Sequence, residues 1–360
     1  MTRSDPTTLE NSFLKVTIDP TTGCITSLYN KRSAFESLTP GSCGNELIAF
    51  KDDPKMFDAW NIDAEFVDNP TKLDHADSVQ VMESRPLRAV VRVTRTWQNS
   101  KFVQDIALYS GADEVDVTND IDWHETHVLL KAAFDLTASS GMATYEIPYG
   151  TIQRPTTRNN SWEKAKFEVP AIRWADLGDA QHGFSLINES KYGYDAVGHT
   201  LRLSLLRSPV SPDPAADRGH HHFSYALYPH AGDWKQALTV QRGYDYNYKL
   251  VGTQVEAHTG VLPLEHSFIA SEAQNVVVTA VKKAEDGDAL IVRMYEWAGK
   301  NVDVHIRVPK GATIAHLANL MERTDGQQLQ INGGDTITVP VHPYEIVTVK
   351  ITYPTRTLRP

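Results

Sequence analysis

Cysteine is scarce in this chain: among 360 residues only Cys24 and Cys43 occur. Two cysteines exclude a framework of several disulfide bonds, although they leave room for one. The sequence also lacks an apolar run of the roughly 20 residues that a membrane-spanning helix requires. Its first residues, Met1–Pro6, contain no apolar core of a secretory signal. We therefore expect a protein that does not enter a membrane and that resides in the cytoplasm.

Basic residues are fewer than acidic residues in this chain. The chain has 35 lysines and arginines against 45 aspartates and glutamates, which gives a net charge of −10 at pH 7. A protein whose main partner is nucleic acid or an anionic membrane surface needs a basic footprint, so we expect neither partner. The hydrophobic share of 41% and the charged share of 22% are close to globular averages and exclude a disordered chain. The length favours two domains.

Several common catalytic motifs are absent. The sequence has no Gly-rich phosphate loop, no Gly-x-Ser-x-Gly nucleophile motif and no Cys-x-x-Cys pair. His124 and His127 stand three residues apart instead of the four typical of zinc proteases, so we interpret them as a hydrogen-bonded strand end. His220 and His222 would share one face of a strand, but no third metal ligand is evident nearby. We predict no metal site in this chain.

Hydrophobic residues recur at every second position in many segments. In the clearest one, Val115 and Val117 flank Asp116, and the alternation continues beyond them. This period is typical of a strand in a sheet with one buried face. Only one segment predicts a helix, with Asp233 as its cap and Gly243 at its end. The sequence therefore predicts an all-β fold.

A change of composition near residues 258–272 indicates a domain boundary. Before it, aromatic residues and long loops are common, whereas the later strands are short and regular, with a turn signal at Asn332–Asp335. We predict a large two-sheet domain over residues 1–265. Residues 266–360 have the length and pattern of a simple β-sandwich.

Trp60 stands between two acids, Asp58 and Asp63, in a segment that has the composition of a loop. An aromatic face with hydrogen-bonding groups beside it suits a pyranose, which has an apolar C–H face and a hydroxylated rim. The alternative interpretation is a tryptophan that packs on the core. Spacing alone does not identify a pair of hydrolytic carboxylates, because on a β fold the two come from different strands.

An ordered series of motifs covers about residues 10–350 of the chain. They include Asn45–Leu47, Asp58–Asp63, Asp122–Glu125, Tyr145–Gly150, Gln153–Thr156, Trp162–Glu163, Lys166–Pro170, Trp174–Leu177, Lys191–Tyr194, Leu205–Pro209, Asp217–His220, Tyr228–His230, Tyr295–Glu296 and Pro343–Ile346. The series resembles the C-terminal β region of the glycoside hydrolase family 38 α-mannosidases, and Asp217–His220 is its most specific block. The resemblance is strongest to the cytosolic or bacterial branch of the family.

This resemblance implies a galactose-mutarotase-like supersandwich over residues 1–265 and a terminal β-sandwich over residues 266–360. It also implies that the family's zinc or cobalt ion, aspartate nucleophile and acid/base carboxylate belong to an N-terminal α/β barrel, to which nothing in this sequence corresponds. We therefore assign no catalytic residue and no cofactor to this chain. The expected partners are that barrel, a mannoside or oligosaccharide, and a second copy of the chain.

Family resemblance further implies that loops of this region close one side of the mannose pocket. Trp60 would supply an apolar wall. The planar guanidinium of Arg218 would donate paired hydrogen bonds to hydroxyls or to a barrel carboxylate, unless it forms an ordinary salt bridge. We predict six substrate-binding residues in two loops: Asp58, Trp60, Asp63, Asp217, Arg218 and His220.

Three functions remain open at this point. The first is the non-catalytic C-terminal portion of an α-mannosidase, which scaffolds the barrel and completes its pocket. The second is a free-standing carbohydrate-binding module. The third is an aldose mutarotase-like enzyme, which needs a histidine acid and a glutamate base converging on one sugar; His124, His220 and Glu146 are the candidates.

Overall fold

The computed structural model describes residues 7–324 and 326–354. The chain divides into two compact units: one comprises the residues up to Ile147 together with Ile152–Lys249, and the other comprises Pro148–Thr151 and the chain from Leu250 onwards. The main division therefore falls at Lys249, and the boundary expected at residue 265 lies inside the second unit.

Strands make up most of the first unit. In chain order, those in its described part are β1 (Thr7–Glu10), β2 (Leu14–Ile18), β3 (Ile25–Asn30), β4 (Phe35–Glu36), β5 (Glu46–Lys51), β6 (Pro70–Lys72), β7 (Ser78–Ser84), β8 (Arg88–Trp97), β9 (Ser100–Tyr109), β10 (Val115–Trp123), β11 (Val128–Asp135), β12 (Met142–Ile147), β13 (Gly150–Pro155), β14 (Val169–Pro170), β15 (Trp174–Gly178), β16 (His182–Asn188), β17 (Gly193–Val197), β18 (Thr200–Arg207) and β19 (Gly219–Ala231).

Three sheets are built from these strands. A nine-stranded sheet has the order β13-β12-β15-β16-β19-β10-β9-β8-β7, a six-stranded sheet has the order β14-β17-β18-β11-β5-β6, and β1–β4 form a small sheet of their own. Alternation places Val115 and Val117 of β10 in the same hydrophobic core as Leu130 and Phe134 of β11, while Asp116 lies outside that core. The period-two pattern thus produces two large sheets that bury one face each against the other.

Helix is confined to short pieces within the described residues. A 3₁₀ helix spans Ala64–Asp68, α1 spans Ser161–Lys164 and α2 spans Thr239–Asn247. The predicted helix from Asp233 to Gly243 has the wrong bounds, because Leu238 adopts a left-handed φ of 57° and helical geometry begins only after it.

Gly243 does not end α2 but lies inside it. A Cβ atom at this position would stand 2.7 Å from Cδ1 of Trp174, so the glycine allows the helix to approach β15 closely. Gly243, which the sequence predicts as the end of the helix, instead permits close packing of α2 against β15.

The second unit is a smaller pair of four-stranded sheets. Its strands are β20 (Ala270–Ser271), β21 (Val276–Lys283), β22 (Leu290–Glu296), β23 (Val302–Arg307), β24 (Ile314–Ala318), β25 (Gln330–Asn332), β26 (Thr336–Val341) and β27 (Ile346–Thr352). The sheet orders are β20-β23-β26-β25 and β21-β22-β27-β24, and inward residues such as Val292, Ile306 and Val349 form one core. Together the two units confirm the predicted fold class, a large all-β sandwich followed by a smaller one.

One disulfide links Cys24, beside the turn between β2 and β3, to Cys43, before β5, with the two Cα atoms 5.1 Å apart. The sequence alone allows this single bridge but does not predict it.

Candidate functional site

A loop of twelve or so residues follows β5 and carries the predicted Asp58, Trp60 and Asp63. Arg207, at the end of β18, holds this loop in place. Its guanidinium forms an ion pair with Asp52 at the base of the loop and donates to the carbonyl oxygens of Asp58 at 2.6 Å, of Ala59 at 3.0 Å, and of Asn61. Because one guanidinium group satisfies several backbone acceptors, the loop has a fixed conformation.

Asp58 fastens the same loop at a second point. Its Oδ2 atom accepts hydrogen bonds from the backbone N–H groups of Val210 at 2.8 Å and Ser211 at 3.0 Å, and lies 3.3 Å from Nε2 of His127. Burial raises the pKa of the Asp58 carboxyl, but the hydrogen bonds from Val210, His127 and Ser211 together outweigh burial and hold the pKa below its ordinary value. Oδ2 of Asp58 is thus committed to contacts within the protein, whereas the buried Oδ1 has no hydrogen-bond partner among the described residues.

Asp63 is likewise engaged locally. It accepts hydrogen bonds from the backbone N–H of Lys55 and from Nδ2 of Asn61, both at 2.9 Å. It also lines a cavity of about 270 Å³ together with Asp52 and Phe66. Two of the predicted acids therefore shape and support the loop.

Trp60 behaves differently from the two acids. Its side chain is 74% exposed, and Met56 and Phe57 on the same loop are 62% and 64% exposed. The interpretation of Trp60 as a core residue is wrong. The loop held by Arg207 presents three large apolar side chains to solvent.

Asp217, Arg218 and His220 occupy the long connection from β18 to β19 and the start of β19. Asp217 has a positive φ of 57°, and its carbonyl oxygen lies 2.7 Å from Nε2 of His221. The Arg218 side chain is exposed and has no hydrogen bond or ion pair with any residue that the structure describes. Since Val210 and Ser211 belong to this connection, Asp58 joins the bases of the two predicted loops.

His220 lies on the outer face of the nine-stranded sheet, where β19 pairs antiparallel with β10. The register places His220 opposite Asp122 and His222 opposite Asp120. Nδ1 of His220 is 3.7 Å from Oδ1 of Asp122, an oxygen that also lies 2.8 Å from Nε2 of His124. His220 therefore belongs to an exposed histidine–aspartate row, separate in its contacts from the loop that carries Trp60.

Metal coordination finds no support in this arrangement. Within residues 7–324 and 326–354, no three histidine, cysteine, aspartate or glutamate side chains converge in a way that could hold a metal ion. In the segment from His124 to His127 the three ionisable side chains contact different partners: His124 contacts Asp122, Glu125 accepts from the Ser100 hydroxyl at 2.7 Å, and His127 contacts Asp58. These side chains do not face a common centre as zinc ligands would.

The mutarotase-type acid and base are not assembled either. Glu146 is buried, and the guanidinium of Arg173 binds both of its carboxylate oxygens, with Nη2 to Oε1 at 2.7 Å. Burial raises the pKa of Glu146, although Arg173 opposes the change. No contact among the described residues joins Glu146 to His124 or His220, so the three do not form a common site.

Sequence reasoning missed the residues that organise the loop. The sequence shows Arg207 only as part of the motif Leu205–Pro209, and it predicts no site role for Asp52 or His127. The sequence does contain an indication of this role. Arg207 stands at the end of the alternating strand β18, and a charged residue at such a position can bind and hold a neighbouring loop.

The geometry is that of a rigid apolar loop on a β-sandwich scaffold. The C-terminal domain of glycosyl hydrolases family 38 matches residues 9–215 of the chain. The chain belongs to glycoside hydrolase family 38. The C-terminal β-sandwich domain of the same family matches residues 275–349, so both units of this family 38 chain have counterparts.

Similar proteins agree with this assignment. Human alpha-mannosidase 2C1 is 36% identical over 323 residues, which cover 88% of this chain and 31% of the human protein. Alpha-mannosidase G of Dictyostelium discoideum is 33% identical over 354 residues, 95% of this chain and 32% of the relative. The family 38 chain thus spans about a third of the length of the curated relatives it matches, and the resemblance seen in its motifs is confirmed.

A solved structure shows the same fold. The crystal structure of an alpha-mannosidase from Enterococcus faecalis V583 superimposes with a TM-score of 0.78 at 16% sequence identity, covering 96% of this chain and 42% of that one. Separately, no helix in the described residues of the family 38 chain is long and apolar enough to span a membrane.

Proposed function

We propose that this chain is the non-catalytic C-terminal β portion of an α-mannosidase, and that it scaffolds a catalytic barrel and completes one side of its mannoside pocket. The main observation that supports the proposal is that Arg207 and Asp58 fix the loop while the side chain of Trp60 on this loop stays exposed. A loop that is anchored at several points, yet exposes large apolar side chains, is typical of a contact surface.

Two exposed side chains would meet the substrate. Trp60 would lie against the apolar face of a mannose ring. Arg218, which has no partner within the described residues, would donate to sugar hydroxyls or to a carboxylate of the barrel. Asp58 and Asp63 are proposed to act by holding this loop, and Asp217 and His220 remain predicted sugar contacts.

The segment Leu250–Phe268, which follows the first unit, supports the proposed partner. It makes no backbone–backbone hydrogen bond with the described residues. Leu250, Val261 and Leu264 are fully exposed, and four further large apolar side chains in the segment are more than half exposed. Apolar side chains in such density favour burial, and we propose that the barrel covers them.

The proposed barrel would carry the metal and the reacting carboxylates, and this chain would hold neither. Its compartment is proposed to be the cytoplasm, and self-association through the apolar segment is a further expected contact. Carbohydrate binding in mannose metabolism is the corresponding biological role.

Hydrolysis of an aryl α-mannoside tests the proposal. The purified chain alone is expected to release no product, with or without added Zn²⁺ or Co²⁺. Turnover that is abolished by one substitution in this chain, such as Glu146→Gln, would overturn the proposal, because activity would then come from residues of this chain.

A free-standing carbohydrate-binding module is the second candidate, favoured by the exposure of Trp60 on the same loop as Asp63, which lines a cavity. Calorimetry against mannose and mannobiose distinguishes it. Saturable binding that Trp60→Ala or Arg218→Ala removes would support the module. Absence of binding would support the first proposal, in which Trp60 and Arg218 contact the sugar only when the barrel is present. Polarimetry with fresh glucose or galactose tests the mutarotase alternative, for which no mutarotation is expected.

A further inference from the structure

The outer face of the six-stranded sheet carries a groove, and none of the six predicted sugar contacts lines it. It has a volume of about 500 Å³. One wall is the 3₁₀ helix Ala64–Asp68, the other is the segment around α1, and the floor comes from β17 and β18. Its lining residues are Ala64, Val67, Arg158, Lys164, Phe167, Val197, Thr200 and Arg202.

The walls of the groove are apolar and partly open. Val67 and Val197 are 38% and 42% exposed, and Ala64 and Phe167 complete the apolar lining. Behind Phe167 lie Phe66 and the other side chains of a buried apolar cluster on the same sheet face. A well-supported apolar wall that remains open to solvent suits the hydrocarbon part of a small ligand.

All three ionisable side chains that line the groove are cationic. The guanidinium of Arg158 donates to the backbone carbonyls of Thr157 at 2.8 Å and of Pro155, Lys166 and Ala196 at 3.2 Å, and it has no carboxylate partner within the described residues. Its position is therefore fixed, whereas its charge is not neutralised.

Arg202 and Lys164 can donate hydrogen bonds to a ligand. Arg202 uses Nε and Nη2 to bind Oδ1 of Asp195 at 2.8 and 2.7 Å, and Nη1 has no partner among the described residues. Asp195 also accepts from buried Lys131 at 2.6 Å, so its charge is shared between two cations. The Lys164 ammonium is exposed and likewise has no ion pair in the described part of the chain.

Apart from Asp195, no carboxylate among the described residues bonds to Arg202, and none bonds to Lys164. Glu163, beside Lys164, accepts hydrogen bonds from the Thr157 hydroxyl at 2.7 Å and from the backbone N–H of Asn159 at 2.8 Å within its own segment. Asp135 accepts from the Thr200 hydroxyl on the groove floor. In a chain of net charge −10, a groove lined by three cations and no anion is a local exception.

From these observations we propose that the groove binds a small amphipathic anion, a carboxylate with a short hydrocarbon body. The carboxylate meets Arg202 and Lys164 in the field of Arg158, and the hydrocarbon lies between Val67, Phe167 and Val197. This site requires neither the barrel nor the mannoside, so it can be tested independently of the proposed function.

Calorimetric titration of the full chain with octanoate tests the site. Saturable binding is expected, and hexanoate should bind about fifteenfold more weakly, because each buried methylene contributes about a fourfold factor. Octylamine, which has the same chain and the opposite charge, should not bind. Absence of saturation at millimolar octanoate, or equal binding of octylamine, would overturn the proposal.

Charge substitutions locate the binding. Lys164 is exposed, so Lys164→Glu should leave the melting temperature unchanged while it weakens octanoate binding at least tenfold. Lys300→Glu, in the second unit, makes the same change in net charge outside the groove and should leave the affinity unchanged. Equal weakening by both variants would show a general charge effect and refute the site, as would full affinity in Lys164→Glu.

Discussion

Replacement of Arg207 by methionine is the sharpest perturbation of the loop that carries Trp60. The substitution keeps much of the side-chain volume but removes the charge that pairs with Asp52, which is only 1% exposed, and the donors to the loop carbonyls. An unpaired buried carboxylate left by such a change typically costs about 3–5 kcal/mol. Because Arg207 is itself 18% exposed, we expect the lower end, about 3 kcal/mol at pH 7.

The loss should depend on pH. Burial raises the pKa of Asp52, with Arg207 opposing this effect, so removal of Arg207 raises the pKa further. At low pH Asp52 is protonated and the missing partner matters less, so the destabilisation at pH 4 should be smaller than at pH 7. The double variant Asp52→Asn with Arg207→Met should recover part of the stability at pH 7, since no buried charge remains.

Urea unfolding and hydrogen exchange measure the two consequences. Arg207→Met should lower the free energy of unfolding and speed amide exchange in residues 52–63. Arg218→Met is the matched control: Arg218 is exposed without a partner, and its loss should change stability by less than about 0.5 kcal/mol. A cost for Arg207→Met below about 1 kcal/mol, or unchanged exchange in the loop, would refute the anchoring role.

Three further predictions concern positions outside the loop. Gly243→Ala should destabilise by about 1–3 kcal/mol in thermal unfolding, because the clash with Trp174 outweighs the helix propensity of alanine; a stabilised variant would contradict the close packing. Burial raises the pKa of Glu114 to about 7, with a contribution from Asp116, so the folded state binds its proton more tightly than the unfolded state. Stability should fall as pH rises from about 4.5 to 7, and Glu114→Gln should flatten that slope in urea titrations; an unchanged slope would exclude Glu114 as the cause. Reduction of the Cys24–Cys43 disulfide with dithiothreitol should lower the free energy of unfolding in urea by about 2–4 kcal/mol, and an unchanged free energy of unfolding would contradict a stabilising role for the bridge.

Much of the fold follows from local pattern. Alternation at Val115 and Val117 predicts β10 because a strand repeats its orientation every two residues and one sheet face is buried. The helix is different: its start depends on the left-handed backbone of Leu238, and Gly243 is needed for contact with a strand distant in sequence. Helix propensity predicts neither the left-handed Leu238 nor the contact at Gly243, because both arise from tertiary packing.

The candidate site was only partly predictable. Composition predicts a contact role for Trp60, and its side chain is exposed in the structure, but the sequence does not separate exposed side chains from those that support the loop. The sequence predicts Asp58 as a sugar contact but does not predict that its Oδ2 atom accepts hydrogen bonds from the backbone N–H groups of Val210 and Ser211. The anchor Arg207 lies far along the chain from the loop, and such pairings become visible only when the strands are assembled.

The most direct test of the central claim is the initial rate of aryl α-mannoside hydrolysis by the purified, correctly folded chain with excess Zn²⁺ or Co²⁺. We predict a rate equal to that of buffer containing the same metal. A rate that is proportional to protein concentration and that disappears when a side chain of this polypeptide is replaced would contradict the claim that the reacting groups lie outside these two β units.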